Sequence, residues 1–443
     1  CTLREAITLA NATANVGGPD EIRFNIPGAG PHRIAISSNL PVMSTAMSIL
    51  GYSQPGAAAN TASAGSNAVI RIVIDAAAVS TTTPALAVAA AGSEVSGIAV
   101  VNKASGAGIG VSTSASVRGC WLGVEADGTT LAANQFGFRV DNVSGLVTLG
   151  GPNPADRNVV AASTTHAVQM AALTQVRIEN NLIGLKPDGV TPGAVPSGVF
   201  SSAAVANQQL INNTISCTSS AALTSFGTLI SGNRFGTTAD GSSAPACVTA
   251  GFTLGALAAT VSNNLMAYTS TRAMNVPTGV TGVVFSANRY IDNATIPIDL
   301  LGTSGHTAND AGDSDGGANN QQNYPILTEV QRLDANTASI RGSLNSVANS
   351  SFRIEFYAAT RLDDGSVSIN ADFGDAERVG ASTVDVSTDA SGNASFGPLT
   401  VSFSDPFHLM RTGQEQRSTE TLWVHPATHV VSPFPNGTTR ALE

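Results

Sequence analysis

The order of apolar and polar residues repeats along the middle of the chain, as a short strand followed by an asparagine corner. An apolar residue is followed three places later by asparagine, and a second apolar residue comes two places after the asparagine. Five segments share this pattern, with their asparagines at Asn181, Asn213, Asn233, Asn264 and Asn288. Successive asparagines lie 32, 20, 31 and 24 residues apart. Spacings of this size are typical of solenoids, and short strands without a helical period favour a parallel β-helix.

The repeated asparagines have a structural explanation in such a fold. Side chains at the same place in successive coils stack about 4.8 Å apart, so amide groups can bond from one coil to the next. A role in contacting a ligand is the alternative, and the ladder is the favoured interpretation.

A second repeat overlaps the first and predicts a turn at the same place in several coils. An apolar residue and glycine are followed, after three variable residues, by Asp-Gly in residues 122–128, 183–189 and 235–241. Asp-Gly is a strong turn signal. We therefore expect Asp127, Asp188 and Asp240 to stack along one edge. Turn geometry alone explains aspartate there, although a row of carboxylates would also attract cations.

The N-terminal residues predict a helix that covers the open end of the solenoid. Leu3, Ile7 and Ala10 recur at helical spacing within residues 1–15, and residues 16–19 (VGGP) end the pattern. A solenoid needs a cap, and an amphipathic helix provides one. We assign residues 1–19 to this cap and residues 20–322 to the β-helix, whose first strand covers residues 20–26.

The pattern changes after about residue 305. A polar, turn-rich stretch leads into residues 323–404, where Phe352, Ile354 and Phe356 alternate with polar residues. Alternation over this length predicts a small antiparallel β-sandwich of immunoglobulin-like design, and such modules are usually spacers or binding units. Residues 405–443 contain Trp423, His425 and His429 but show no clean alternation, so no structure is assigned to them.

Composition agrees with a solenoid and narrows the class of partner. Of the 443 residues, 12% are charged and 5% aromatic, and 44 are glycine, which suits the narrow interior of stacked coils. A hydrophobic fraction of 42% disfavours disorder. The net charge of −10 disfavours nucleic acid as a partner. No apolar run is long enough to span a membrane. The oligomeric state is left open.

Several segments resemble one family. Residues 1–7 (CTLREAI) resemble the N-terminal signature of the secreted bacterial CSLREA-domain proteins, with Thr2 in place of serine. Residues 49–56 (ILGYSQPG), 149–160 (LGGPNPADRNVV) and 309–327 (NDAGDSDGGANNQQNYPIL) resemble later motifs of that family. The resemblance covers roughly nine-tenths of the chain and ends near Phe403. It implies a right-handed parallel β-helix exported to, or near, the bacterial surface, and it implies no particular reaction.

The four cysteines are Cys1, Cys120, Cys217 and Cys247. They form no CxxC pair and no zinc-like spacing with histidine. Three pairings are possible, and four buried thiols are an equal alternative to a disulfide. Cys217 with Cys247 is the favoured pair, since both lie in the same part of the solenoid and could occupy adjacent coils. An extracellular setting would favour the bridge.

The strongest candidate metal site is the segment containing Asp310, Asp313 and Asp315, followed by Gly316 and Gly317. Closely spaced carboxylates beside glycines suit calcium, although the spacing differs from an EF-hand loop. A calcium ion there would have a structural role. A solvated acidic loop between two domains is the alternative.

Catalytic candidates are few. Arg139 and Asp141 share one face of a strand, as do Arg177 and Glu179, and a stacked ladder of these four would form a charged patch. Paired carboxylates or a basic residue could act in a polysaccharide hydrolase or lyase. Surface ion pairs of little energetic weight are the favoured interpretation. Lys103, Arg234 and Arg289 are further basic candidates, whereas His166 shows no partner in the sequence and is expected to be structural.

The sequence thus predicts a secreted or surface-displayed all-β protein that binds an extracellular polysaccharide or surface glycan through the lateral face of its β-helix. Extended solenoid faces suit extended partners. The alternatives are a polysaccharide lyase or glycoside hydrolase with a groove on that face, and a purely architectural spacer. The scarcity of ionisable residues along the coils favours adhesion or binding over catalysis.

Overall fold

The computed structural model describes ten segments, which together cover most of the chain. They are residues 1–141, 145–171, 175–202, 207–255, 258–294, 297–300, 307–334, 337–359, 377–402 and 421–426. The chain divides into two units, Cys1–Ala250 and Gly251–Glu443. Apart from the strand Thr421–Pro426, the C-terminal stretch 405–443 lies outside the described residues.

The predicted N-terminal helix, α1, runs from Leu3 to Ala12. Thr2 and Glu5 form a capping box, with the Glu5 N–H donating to Thr2 Oγ1 and the Thr2 N–H donating to Glu5 Oε2 at 2.8 Å. Leu3, Ile7 and Ala10 are its buried residues, as the apolar spacing predicts. Arg4 donates to the Asn39 carbonyl and Asn11 to the Val42 carbonyl, so the helix is held against the first coil.

The first unit is built from short strands joined by turns. Two short 3₁₀ turns, Gly51–Ser53 and Pro154–Asp156, interrupt the loops. In chain order the strands are β1 (Asp20–Arg23), β2 (His32–Ala35), β3 (Met47–Leu50), β4 (Ile72–Asp75), β5 (Leu86–Val88), β6 (Ser93–Ser96), β7 (Ala99–Val101), β8 (Ala107–Val111), β9 (Ala115–Arg118), β10 (Trp121–Leu122), β11 (Asn134–Val140), β12 (Leu146–Gly150), β13 (Val159–Val160), β14 (Ser163–Met170), β15 (Gln175–Glu179), β16 (Leu182–Ile183), β17 (Val195–Ser201), β18 (Gln208–Ile211), β19 (Thr214–Ile215), β20 (Thr218–Phe226), β21 (Leu229–Ser231) and β22 (Arg234–Phe235).

These strands form three parallel sheets that the chain visits in turn. Sheet A contains β1, β3, β6, β9, β12, β15, β18 and β21. Sheet B contains β2, β4, β7, β10, β13, β16, β19 and β22, and sheet C contains β5, β8, β11, β14, β17 and β20. Each strand therefore pairs with strands one coil before and after it, which is the arrangement of a parallel β-helix. The right-handed sense remains a prediction.

The interior consists of equivalent residues stacked on one another. In sheet A, Ile178 pairs with Leu210, which pairs with Ile230. In sheet B, Ile183 pairs with Ile215. These are the apolar positions three places before and two places after the repeated asparagines, so the predicted register of the coils is confirmed. All five of these side chains are fully buried.

The asparagine ladder is also confirmed. The Asn158 amide donates to Asn181 Oδ1 at 2.9 Å, Asn181 to Asn213 Oδ1 at 3.0 Å, and Asn213 to Asn233 Oδ1 at 3.0 Å. The second unit has an equivalent bond from Asn264 to Asn288 Oδ1 at 3.0 Å. The ladder satisfies backbone and side-chain polar groups that the corner buries between sheets A and B.

The second unit contains two kinds of structure, coils and a sandwich. Its coil strands pair in parallel, β24 with β27, β25 with β28, and β26 with both β23 and β29. A 3₁₀ turn, Ala318–Gln321, precedes the sandwich strands. In order the strands are β23 (Phe252–Leu254), β24 (Thr260–Ser262), β25 (Leu265–Ala267), β26 (Met274–Asn275), β27 (Val284–Ser286), β28 (Arg289–Ile291), β29 (Ile298–Asp299), β30 (Ile326–Arg332), β31 (Thr337–Asn345), β32 (Ser351–Ala359), β33 (Glu377–Ser387), β34 (Asn393–Ser402) and β35 (Thr421–Pro426).

The sandwich consists of two antiparallel sheets, β30–β31–β34 and β33–β32–β35, that share one apolar core. Phe352, Ile354 and Phe356 are buried in it, as their alternation predicts. Glu355 lies on the opposite face of β32, where it accepts hydrogen bonds from Ser286 Oγ at 2.6 Å and from the Ala287 N–H at 2.9 Å. The immunoglobulin-like character of this sandwich remains a prediction.

Candidate functional sites

Three aromatic side chains form a continuous stack across neighbouring strands of sheet C. Phe136 lies on β11, His166 on β14 and Phe200 on β17. The His166 ring centroid lies 5.9 Å from that of Phe136 and 4.5 Å from that of Phe200, with ring planes inclined by 18° and 11°. All three side chains are partly exposed. We call Phe136, His166 and Phe200 the aromatic stack.

Polar side chains lie in register beside this stack. Arg139, Gln169 and Phe200 occupy paired positions on β11, β14 and β17. His166 Nδ1 and Gln169 Oε1 have no hydrogen-bond partner among the described residues. Burial lowers the pKa of His166, which favours the neutral form of the ring. The surface therefore combines partly exposed aromatic rings with the partly exposed side chains of Arg139 and Gln169.

The sequence did not reveal the aromatic stack because its members are far apart along the chain. Their surroundings share no motif, and loops of different lengths separate them. The parallel register of sheet C brings them together, pairing Phe136 with His166 and Gln169 with Phe200. His166, which had no visible partner in the sequence, is the central ring of the stack.

The four weak catalytic candidates form two separate ion pairs. On β11, Arg139 Nε lies 3.2 Å from Asp141 Oδ1, and on β15, Arg177 holds Glu179 through bonds of 2.7 and 3.1 Å. β11 belongs to sheet C and β15 to sheet A, so the four residues do not form one stacked ladder, which was the alternative to separate ion pairs. Both pairs have the same two-residue spacing, but they occur at different places in the coil, and spacing alone carries no information about the sheet.

Lys103, another basic candidate, is fully buried and holds a loop together. Its Nζ donates to the carbonyls of Val79, Thr81 and Ser105. Burial lowers its pKa. An ammonium group surrounded by three backbone carbonyls is a structural bridge, and it cannot reach a ligand outside the coil.

The Asp-Gly turns use their carboxylates locally. Asp127 Oδ1 accepts from the Thr129 and Thr130 N–H groups at 2.7 and 2.8 Å, and these bonds, together with that from the Thr130 hydroxyl, lower the Asp127 pKa to about 2. Asp188 and Asp240 also accept bonds within their own turns. The turns containing Asp188 and Asp240 are in contact, since the Ala239 N–H donates to the Gly189 carbonyl. Turn geometry therefore accounts for these aspartates.

The three aspartates predicted to bind calcium lie together in the second unit. Asp310, Asp313 and Asp315 each offer a carboxylate oxygen, and these oxygens lie within 4.8 Å of one another. Asp313 accepts from the Asn323 N–H and from Ser346 Oγ at 2.6 Å. The Oδ1 atoms of Asp310 and Asp315 have no hydrogen-bond partner among the described residues. We call these three residues the acidic cluster.

The chemistry of the acidic cluster fits a hard divalent cation. Burial raises the pKa of Asp313 and of Asp315, and the neighbouring carboxylates contribute to both shifts. Hydrogen bonds from Ser314 lower the pKa of Asp310. Among the described residues no basic side chain forms an ion pair with any of the three. Calcium takes oxygen ligands, and the free carboxylate oxygens could supply them.

Cys217 and Cys247, the favoured pair from the sequence, are joined by a disulfide in the structure. Their Cα atoms lie 5.2 Å apart, within the usual range for a disulfide. Cys1 is exposed and Cys120 is buried, and both are free thiols. The bond ties the corner after β19 to the loop after β22.

Among the described residues, no helix has the length and apolar character needed to cross a bilayer.

Comparisons with known proteins yield weak structural likenesses alone. No protein-family model and no curated protein matches the chain. ORF18 of Geobacillus virus E2 aligns with 90% of this chain and 72% of its own at 8% identity, with a TM-score of 0.32. A tailspike protein, gp49 from Acinetobacter baumannii bacteriophage Fri1, described as a capsular polysaccharide depolymerase, aligns with 90% of this chain and 70% of its own at 11% identity, with a TM-score of 0.22. Likenesses at this level carry no argument about function.

Proposed function

We propose that this protein binds an extended extracellular glycan, and that the aromatic stack on sheet C is the main contact. The observation that carries the proposal is the row formed by Phe136, His166 and Phe200, partly exposed on three adjacent strands. Aromatic faces pack against the apolar C–H faces of sugar rings, and polar groups beside them bond the hydroxyls. Arg139 and Gln169 lie in register to supply those bonds.

The geometry of the stack favours a chain over a single sugar. Parallel strands lie about 4.8 Å apart, so side chains on three strands extend over roughly 10 Å. A ligand lying across the strands would meet the rings one after another. The neutral state of His166 suits this role, because a neutral ring has less affinity for water than an imidazolium ion.

Binding without catalysis is the function that the arrangement supports best. Asp141 and Glu179, the carboxylates of the catalytic candidates, are each paired with an arginine on their own strand, and they lie in different sheets. A hydrolase needs two carboxyl groups held across one bond at a separation of about 5–10 Å. The strands of sheet C in the first unit contain no aspartate or glutamate, and Asp141 directly follows β11.

We further propose an exported, surface-displayed protein of the CSLREA type, with a right-handed β-helix and an immunoglobulin-like C-terminal sandwich. The disulfide between Cys217 and Cys247 supports export, since such bonds persist in oxidising compartments. The two antiparallel sheets and shared core of the sandwich support a spacer or binding module.

Replacing Phe200 by alanine tests the glycan site. We expect affinity for a bound polysaccharide to fall at least tenfold, about 1.4 kcal/mol, because Phe200 makes the closer of the two ring contacts with His166. The measurement is retention and titration against a panel of neutral and acidic polysaccharides. The same incubations are also analysed for cleavage of the polysaccharide, which would produce shorter chains and, with a lyase, new unsaturated ends.

Leu146→Ala is the matched control, because Leu146 is an exposed apolar residue on β12 of sheet A, away from the stack. It should bind as the unaltered protein does. Equal affinities of the Phe200→Ala and unaltered proteins would contradict the proposed site. Shortening of any polysaccharide would contradict binding without catalysis, and would make the lyase or hydrolase the better account.

We also propose that the acidic cluster binds a calcium ion that stabilises the loop before the sandwich. Three carboxylates close together repel one another, and Asp313 is additionally buried. A bound cation would neutralise that repulsion and engage the free Oδ1 atoms of Asp310 and Asp315. Asp313 already bonds Ser346 of the sandwich, so the ion would join the loop to the sandwich core.

Calcium should raise the thermal midpoint of the protein by several degrees at pH 7, since a ligand bound by the folded state stabilises it. The increment should shrink as the pH falls towards about 4, because the raised pKa values of Asp313 and Asp315 let protons compete early with the ion. In the absence of calcium, lowering the pH should instead stabilise the protein at this site. Groups with a raised folded-state pKa cost stability above that value, and the cost is removed as the pH falls through it.

The measurement is a thermal melt with calcium and with a chelator across this pH range. Asp315→Asn should lose most of the calcium increment. The control is Asp292→Asn, an exposed aspartate in the same unit. A melt that is unchanged by calcium would contradict the metal site and leave a solvated acidic loop.

A further inference from the structure

A polar cavity, separate from the aromatic stack, lies on the outside of the corner between sheets A and B. It has a volume of about 240 Å³. Its lining belongs to the first unit and includes Ser63, Arg157, Asn180, Asn212, Thr214 and Arg234. Pockets for drug-sized ligands usually measure about 300–1,000 Å³, so this cavity suits one small group such as a single sugar unit. We call it the corner cleft.

One wall of the corner cleft is a loop that side chains hold in a fixed position. Asn60, which is almost fully buried, donates to the Pro154 carbonyl at 2.8 Å and accepts from the Ala62 and Asn67 N–H groups. The Ser66 N–H donates to the Pro187 carbonyl at 2.6 Å. The loop is therefore anchored at several points, and the cleft is a preformed feature of the fold.

Arg157 completes that anchoring from inside the cleft. Its guanidinium donates to the carbonyls of Ala62, Ser63 and Gly65 and to Asn180 Oδ1, at distances between 2.5 and 3.1 Å for the two Nη atoms. All of these partners are neutral. Arg157 therefore brings an uncompensated positive charge to the cleft, while its own N–H groups are already used.

Arg234 also lines the corner cleft, and it has a different role. It is exposed, and its side chain makes no hydrogen bond or ion pair among the described residues. Burial lowers the pKa of Arg157, and the positive charge of Arg234 lowers it further. The two guanidinium groups are thus close enough to repel each other, and Arg234 keeps free N–H donors.

The cleft is positive in a protein whose net charge is −10. Its lining contains no aspartate or glutamate. Among the described residues neither arginine forms an ion pair with a carboxylate, so their positive charges repel each other, and a bound anion would relieve that repulsion. Asn180, Asn212 and Gly232 of the lining adopt positive φ angles of 58°, 54° and 69°. The Asn212 side chain is exposed at the rim and can donate a hydrogen bond.

We propose that the corner cleft binds one acidic sugar unit, with its carboxylate or sulfate group held by Arg234 in the field of Arg157. Arg234 offers the bidentate donor geometry that an oxyanion accepts. Asn212, Thr214 and Ser63 lie around it to bond sugar hydroxyls. The site differs from the aromatic stack in location and in chemistry, so either can exist without the other.

The test is isothermal titration with glucuronate and galacturonate, compared with glucose and with inorganic sulfate. We expect the uronates to bind and glucose to bind at least tenfold more weakly. Raising sodium chloride from about 0.05 M to about 0.5 M should weaken uronate binding several-fold, because part of the cleft is open to solvent. Sulfate should bind more weakly than a uronate, since it cannot use the hydroxyl contacts.

Arg234→Gln should reduce uronate affinity at least tenfold. It should leave the thermal midpoint unchanged, because the Arg234 side chain has no partner to lose among the described residues. Arg289→Gln is the matched control, as Arg289 follows Asn288 just as Arg234 follows Asn233 but lies outside the cleft. Undiminished uronate binding by Arg234→Gln would overturn the proposal. Glucose or sulfate binding as tightly as a uronate would overturn it too. Loss of polysaccharide retention in Phe200→Ala with uronate binding intact would separate the two sites.

Discussion

Replacing Asn213 by alanine is expected to lower the free energy of unfolding by about 3–5 kcal/mol. Asn213 is fully buried, and its amide donates to the carbonyls of Ile178 and Ile211 as well as to Asn233 Oδ1. Its own Oδ1 accepts the N–H and the amide of Asn181 at 2.9 and 3.0 Å. Alanine would leave several of these groups buried without partners.

The effect should remain local in character, because each coil of a solenoid contacts only its neighbours. Chemical denaturation followed by circular dichroism measures the loss, and amide hydrogen exchange should show faster opening at Asn181 and Asn233. Asn212→Gly is the matched control. Asn212 is adjacent, exposed and at a positive φ that glycine also adopts, so its replacement should cost no more than about 0.5 kcal/mol. Equal costs for the two variants would show that the ladder adds little to stability.

Removing the disulfide between Cys217 and Cys247 is the second large change. The bond closes a loop between cysteines 30 residues apart, and its loss should cost about 3–4 kcal/mol by the loop-entropy relation. The double variant Cys217→Ala/Cys247→Ala should therefore unfold at a lower denaturant concentration. A reducing agent should shift the unaltered protein to the same midpoint and leave the double variant unmoved.

Cys1→Ser provides the control for thiol chemistry, because Cys1 is free and exposed. It should match the unaltered protein and keep the full response to the reducing agent. Suppose that reduction raises the number of free thiols in the unaltered protein by two but leaves its unfolding midpoint unchanged. That result would contradict a stabilising disulfide.

The pattern of apolar residues and asparagines in the sequence was sufficient to predict the coils. The interior is lined mainly by apolar side chains. The corner buries polar backbone that asparagine can satisfy, so residues such as Ile178, Asn181 and Ile183 recur at the same phase in successive coils. Such constraints are local and repeated, and they remain readable when loops differ in length. The Asp-Gly turns, the N-terminal helix and the alternating strands of the sandwich were predictable for the same reason, since each depends on residues close in sequence.

The outer surface has no repeated sequence pattern of this kind. Only the tertiary structure shows which outward-facing residues are neighbours. Nothing near Phe136, His166 or Phe200 in sequence marks them as neighbours, and the pairing of β11, β14 and β17 alone brings them together. The same holds for the corner cleft, where a distant loop supplies Ser63 beside Arg157 and Arg234.

Sequence by itself therefore determined the repeating interior, the corner asparagines, the turns and the three clustered aspartates, because short-range spacing controls them. The sequence could not determine which sheet contains a given charged pair. Arg139 and Arg177 each have a carboxylate two residues later, yet Arg139 lies in sheet C and Arg177 in sheet A. Loops of unequal length place equal spacings at different points of the coil. Stacking in parallel then joins residues from separate coils, so the binding surfaces exist only once the coils are in register.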